Sequence, residues 1–147
     1  MSARVELRLC GSMDHLRISW QTGETLLESI PFADDPEGTR YNILVALQEM
    51  ITNILRHGYE HDEQHPVELC FDVDQAGIQV ELRDQGPAFD PTEVTPTMLD
   101  DTSMPIAEGG YGIMIAKMVM DELTYQREGD WNVLRMQKAA APAAVRG

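Results

Sequence analysis

Two alternating runs joined by a short turn constrain this chain more than any other feature. Residues 67–73 set Val67, Leu69, Phe71 and Val73 against Glu68, Cys70 and Asp72, and residues 78–83 set Ile78, Val80 and Leu82 against Gln79, Glu81 and Arg83. Successive side chains of a strand point to opposite faces, so each run is apolar on one side and polar on the other. Asp74-Gln-Ala-Gly77 between them reads as a hairpin turn. Val5, Leu7 and Leu9, alternating with Glu6 and Arg8, add another half-buried strand. Leu123 to Gln126 and Val133 to Gln137 read as two closing strands around Glu128-Gly129-Asp130.

A sheet with one apolar face needs a cover. Ile43, Leu47, Met50 and Ile54 recur at helical spacing, flanked by Leu44, Ile51 and Leu55, and predict a helix from about Arg40 to His57 that Gly58 stops. Asp35-Pro36-Glu37 is its plausible start signal. A helix is also expected over about Met13 to Ile30, anchored by Leu16, Trp20, Leu27 and Ile30, although Gly23 weakens it. A third is expected over 112–123, carrying Ile113, Ala116, Val119, Met120 and Leu123. The expected fold is therefore α/β, a two-layer sandwich whose mixed, mostly antiparallel sheet is covered on one face by about three helices. At 147 residues and 43% hydrophobic composition, one domain with a real core fits this reading. Its expected span is 1–138, with 139–147 a disordered tail. Pro87 to Ala107 carries four prolines and little periodicity, and so large an irregular loop is often functional.

A formal net charge of -14 and a pI of about 4.4 argue against nucleic acid or an anionic membrane as partner. They do not exclude a nucleotide, because exposed charges beyond about 8 Å are screened at physiological salt and local dipoles or a metal decide phosphate binding. Cys10 and Cys70 form no ligand cluster and read as buried free thiols in a reducing compartment. No apolar run reaches transmembrane length and no signal-peptide pattern opens the chain, so a cytosolic protein is expected.

Glu49 and Asn53, four residues apart, share a helix face other than the apolar one. A carboxamide oxygen is a hard neutral ligand suited to Mg²⁺, and a carboxylate beside it can orient a hydroxyl or water for attack on a phosphate. Each alone reads as a solvated helix residue, and it is the pair that points to chemistry. Asp84 ends a strand and enters Gln85-Gly86; it is an ordinary turn aspartate or a carboxylate that accepts from an adenine amino group, with Gly86 allowing close approach. Gly109-Gly110-Tyr111-Gly112 precedes an amphipathic helix, where exposed amides and the helix dipole suit phosphate oxygens; a flexible hinge explains the glycines equally well. It is neither a Walker A nor a Rossmann pattern. His57 is a phosphate contact or a helix-end residue, and His61 and His65 read as part of a solvated turn. The ordered set points to an ATP site.

Glu-x-x-x-Asn-x-x-x-His-Gly-Tyr, Asp-x-Gly-x-x-Phe-Asp and Gly-Gly-x-Gly in this order resemble the bacterial anti-sigma factor serine/threonine kinases of the Bergerat-type ATPase superfamily, which includes gyrase and the histidine kinases. The likeness spans about Val5 to Lys138. It implies a protein kinase with Glu49 as general base and Asn53 as Mg²⁺ ligand. Asp84 and Gly86 would read adenine. Gly109, Gly110, Tyr111 and Gly112, with His57, would hold ATP beneath a lid over 91–108. The implied substrate is a STAS-domain anti-anti-sigma protein, the implied second partner a sigma factor or similar regulator, and a homodimer is common in the family. Glu108 stands where some members have an arginine, and Asn132-Val133 replaces the usual threonine of the last strand. Two alternatives stand beside the kinase: a nucleotide-gated protein-binding module, and a stand-alone ATPase.

Overall fold

The structure, a computed structural model, describes residues 2–10, 13–55, 66–93 and 110–141. Among the described residues eight helices and strands follow one another as β1 (Ala3–Leu9), α1 (Leu16–Leu27), α2 (Pro36–Asn53), β2 (Val67–Asp74), β3 (Gly77–Asp84), α3 (Gly110–Val119), β4 (Glu122–Glu128) and β5 (Trp131–Ala139). The strands form one sheet in the order β1-β2-β3-β5-β4. Every described pairing is antiparallel, so the sheet is antiparallel throughout rather than mixed. β5 lies between β3 and β4, and α3 lies in the connection from β3 to β4.

The β2–β3 hairpin forms where the alternation predicts it. Asp74 Oδ1 accepts from the amides of Ala76 and Gly77 at 2.7 and 3.2 Å, which folds the turn back on itself. Gly77 has φ +148°, and a Cβ there would lie 2.2 Å from the Lys138 carbonyl oxygen, so the turn requires glycine. The register then brings Val67, Leu69, Phe71, Val73, Ile78, Val80 and Leu82 to one face. Ile43, Leu44, Leu47, Met50 and Ile51 of α2 and Ile113 and Ala116 of α3 complete the same buried cluster. The opposite face carries cross-strand ion pairs: Arg4–Asp72 at 3.0 Å, Arg8–Glu68 at 3.4 Å and Arg135–Glu81 at 2.9 Å. Exposed pairs of this kind contribute about 0.2–1 kcal/mol each, so they favour register more than stability.

Several boundaries differ from the sequence expectation. The first helix is shorter, a 3-10 turn at Met13–His15 followed by α1, because Arg40 of α2 caps its end by donating to Leu27 O and Ile30 O, both at 3.0 Å. Gly23 is accommodated because α1 meets α2 there, with a Cβ position 2.9 Å from Leu44 Cδ2. α2 begins at Pro36 rather than Arg40, since Asp35 is its N-cap and accepts from the Gly38 amide at 3.2 Å. Its α-helical span ends at Asn53, and Ile54 and Leu55 continue in wider π-type turns. α3 stops at Val119, four residues early: the Asp121 amide donates to Gln137 O and Asp121 Oδ2 accepts from the Ala139 amide, so β5 captures the chain. β4 and β5 are longer than expected, and β5 includes Ala139. Ala140 is buried, donating to Ala76 O and accepting from the Ala33 amide, so the first residues of the expected tail belong to the folded body. Residues 142–147 lie outside the described residues. The cysteines are not buried as expected: Cys10, past the end of β1, is exposed, and Cys70, on the face of β2 away from the helices, is half-buried.

Candidate functional site

β3 delivers Asp84 to the end of the helix-facing side of the sheet, where only 6% of it is exposed. The antiparallel register sets it opposite Asn132 of β5, and Arg127 of β4 is opposite Asn132 in turn. Asp84 Oδ1 accepts from the Gly86 amide at 2.9 Å and from Asn132 Nδ2 at 3.0 Å. Asn132 Oδ1 accepts from the Tyr125 hydroxyl at 2.5 Å and from Arg127 Nη1 at 3.1 Å. Burial pushes the Asp84 carboxyl above its ordinary pKa; Asn132, the Gly86 amide and the Arg127 charge pull against that rise.

Glu49 and Asn53 sit one turn apart on α2, both partly buried. α3 packs against α2 at Glu49. A Cβ placed on Gly112 would lie 2.4 Å from Glu49 Cβ and 2.9 Å from Glu49 Oε2. The third residue of α3 is therefore glycine because the helix start is pressed onto the Glu49 side chain. Gly110 opens α3, with Tyr111 following it. The start of α3, where unpaired amides gather, and the Glu49 carboxylate are thus brought together.

Asp84 and Gly86 form one local unit, and Glu49 and Gly112 another. His57, Gly109, Glu108, His61 and His65 lie outside the described residues, as does the Tyr111 side chain. Of the expected lid, Pro91–Glu93 is a 3-10 turn with Pro91 buried, and Lys117 of α3 donates to Thr92 O at 2.7 Å. Those first three residues are fastened to the body, and 94–108 lie outside the described residues. Sequence reasoning missed Tyr125 and Arg127 altogether and met Asn132 only as a departure from a family pattern. The one available signal was the spacing of Leu123, Tyr125 and Arg127, which puts all three on one face of a strand.

The residues present fit a purine nucleotide. A nearly buried carboxylate has both its bonds on Oδ1, and among the described residues Oδ2 has no partner. Among the described residues no three His, Cys, Asp or Glu cluster as metal ligands, and Mg²⁺ bound to a nucleotide takes much of its shell from phosphates and water.

This fold and site define a known class: the chain belongs to the histidine kinase-like ATPase domain family, whose pattern matches residues 27–138. It is similar to the serine-protein kinase RsbW of Staphylococcus epidermidis, 28% identical over 131 residues that cover 84% of this chain and 79% of that protein. It is also similar to the serine/threonine-protein kinase BtrW of Bordetella bronchiseptica, 25% identical over 103 residues, covering 70% of this chain and 72% of that one. These relatives bear out the resemblance to the anti-sigma kinases. The fold is that of the SiaB–SiaC complex structure from Pseudomonas aeruginosa, with a TM-score of 0.64 at 12% identity, covering 90% of this chain and 88% of that one. The RsbU and RsbW domains of a Mycobacterium tuberculosis protein match with a TM-score of 0.63 at 12% identity, over 92% of this chain and 32% of that longer chain.

Proposed function

We propose that this protein is an ATP-dependent serine/threonine kinase of a partner-switching module. The observation that carries the reading is the seating of Glu49 on the start of α3 at Gly112. In this reading Glu49 is the general base: its carboxylate takes the proton of a serine or threonine hydroxyl on a protein partner. Asn53, one turn on, offers a carboxamide oxygen to Mg²⁺, and the amides at Gly110 and Gly112, with Gly109 and Tyr111, face the phosphates. His57 is assigned to the phosphate end. Asp84 and Gly86 receive the adenine. When bound, Mg²⁺-ATP supplies the phosphoryl group, and the metal offsets its charge. The substrate is a STAS-domain antagonist, and the protein itself sequesters a sigma factor or similar regulator; a homodimer and a cytoplasmic location complete the proposal.

The test is to incubate the protein with Mg²⁺, labelled ATP and the STAS protein encoded beside it. We expect label on that protein. Glu49→Gln lowers the rate by about 10²–10⁴, the range for a general base, with ATP affinity near wild type. Wild-type labelling by Glu49→Gln overturns the mechanism. ATP binding with no label on the partner favours the nucleotide-gated binding module, in which the ligand only shifts partner affinity.

A further inference from the structure

The geometry points to Asn132, held from behind by Tyr125 and Arg127, as the positioning residue that makes Asp84 select adenine over guanine. This deepens the nucleotide reading above and rests on it.

The orientation of the Asn132 amide is fixed by its neighbours. Its Nδ2 faces only acceptors: Asp84 Oδ1 at 3.0 Å, Gly86 O at 3.2 Å and Pro87 O at 3.0 Å. Its Oδ1 accepts from the Tyr125 hydroxyl and from Arg127 Nη1, the second of which can only donate. A flipped amide would set oxygen against three acceptor oxygens and NH₂ against the Arg127 guanidinium, so one orientation survives. Both ends of the amide are used within the protein, and Asn132 is 7% exposed. Its action on a base therefore runs through Asp84.

That action is to fill one carboxylate oxygen. Each oxygen of an ionised carboxylate accepts about two hydrogen bonds. The Gly86 amide and Asn132 Nδ2 supply two donors to Oδ1, while among the described residues Oδ2 has none. Asp84 is thereby a single-oxygen acceptor. The adenine amino group needs one such oxygen. Guanine offers N1–H and a 2-amino group side by side, a pair that is satisfied only by both oxygens of a carboxylate, and here one of them would leave a base N–H unpaired. The turn cannot easily shift to free Oδ1. Arg127 Nη1 donates to Gly86 O at 2.8 Å, and its Nε donates to Gly129 O at 3.0 Å, so β4 and β5 clamp residues 84–87 together. Burial raises the Asp84 pKa, and Asn132, the Gly86 amide and the Arg127 charge oppose that rise in favour of the acceptor-only carboxylate.

The experiment is calorimetric binding of Mg²⁺-ATP, Mg²⁺-GTP and, as a base-free probe, Mg²⁺-tripolyphosphate. The proteins are wild type, Asn132→Ala and Tyr125→Phe, each checked for folding by circular dichroism. Wild type is expected to prefer ATP over GTP by at least about tenfold, the worth of one unpaired buried hydrogen-bonding group. Asn132→Ala frees a site on Oδ1 and lowers the ATP-to-GTP preference about tenfold, with tripolyphosphate binding unchanged. Tyr125→Phe removes one hydroxyl without emptying the site and moves the preference a few-fold in the same direction; it carries the test alone if Asn132→Ala does not fold. An unchanged preference in the folded variants, or equal binding of ATP and GTP by wild type, overturns this inference and leaves the nucleotide site standing. Failure of wild type to bind either nucleotide overturns the nucleotide reading and this inference with it.

Discussion

Gly112→Ala tests the packing that brings Glu49 to the start of α3. The added methyl lies 2.4 Å from Glu49 Cβ, 3.1 Å from its Cγ and 2.9 Å from its Oε2. Carbon pairs rest at about 3.5–4.0 Å, so the helices must part by roughly 1 Å. No rotamer of Glu49 relieves the contact, because its Cβ is fixed by the α2 backbone. Overpacking of this kind costs about 1–3 kcal/mol, against a gain of up to about 1 kcal/mol for alanine over glycine in a helix. A net loss of about 1–2 kcal/mol lowers the melting temperature by roughly 2–8 °C in a domain of this size. A displacement of about 1 Å at the carboxylate also costs on the order of 10² in phosphorylation rate. Gly23→Ala is the comparison: its methyl meets Leu44 Cδ2 at 2.9 Å, the end of a flexible side chain, and the next atoms lie at 3.7 Å. It is expected to stay within about 1 kcal/mol of wild type. Differential scanning calorimetry and the phosphorylation assay read both. If Gly112→Ala melts with wild type and phosphorylates at its rate, the close contact does not position Glu49.

Two further changes probe the rest of the structure. Asp84→Asn keeps an oxygen for Gly86 and Asn132 but presents NH₂ in place of the second carboxylate oxygen, so ATP affinity falls by about tenfold or more. It also removes a charge whose pKa is raised by burial. The cost of that charge is fully present above the raised pKa and is lost as pH falls from there toward the ordinary carboxylate value. Asp84→Asn therefore melts above wild type at neutral pH, with a gap that closes on acidification; a gap that widens refutes the burial argument. Arg40→Met removes both hydrogen bonds from α2 to the end of α1, at a cost of about 1–3 kcal/mol seen as a lower urea midpoint. An unchanged midpoint means that water replaces the guanidinium without loss.

Local pattern carried much of this fold. The hairpin was legible because strict alternation and an Asp–Gly turn both act over a few residues, and the α2 stripe because its apolar positions share one face. Glu49 and Asn53 were legible as a pair for the same reason. The end of α3 was not, because its limit is set by the hydrogen bond that Asp121 donates to Gln137 and the one it accepts from Ala139, both on another strand. Ala139 and Ala140 resemble a tail in composition, yet their place is set by Ala76 and Ala33. The link from Asp84 to the Tyr125–Asn132–Arg127 group depends on β5 lying beside β3, a strand order that no local signal encodes. Gly112 reads as one glycine of a cradle, whereas its close contact is a property of a helix pair.

The strand order also sets a timetable. β5 follows the other four strands in the chain, yet it lies inside the sheet and pairs with both β3 and β4. During synthesis β1, β2 and β3 emerge with the edge of β3 still bare, and Asp84 stands at the end of that edge without Asn132. A bare strand edge is a template for pairing with other chains. Closing that edge and joining Asn132 to Asp84 are one event, because the strand that covers β3 is the strand that carries Asn132. A chain whose Asp84 is bonded to Asn132 has already hidden the edge of β3, and a chain stalled before β5 has done neither.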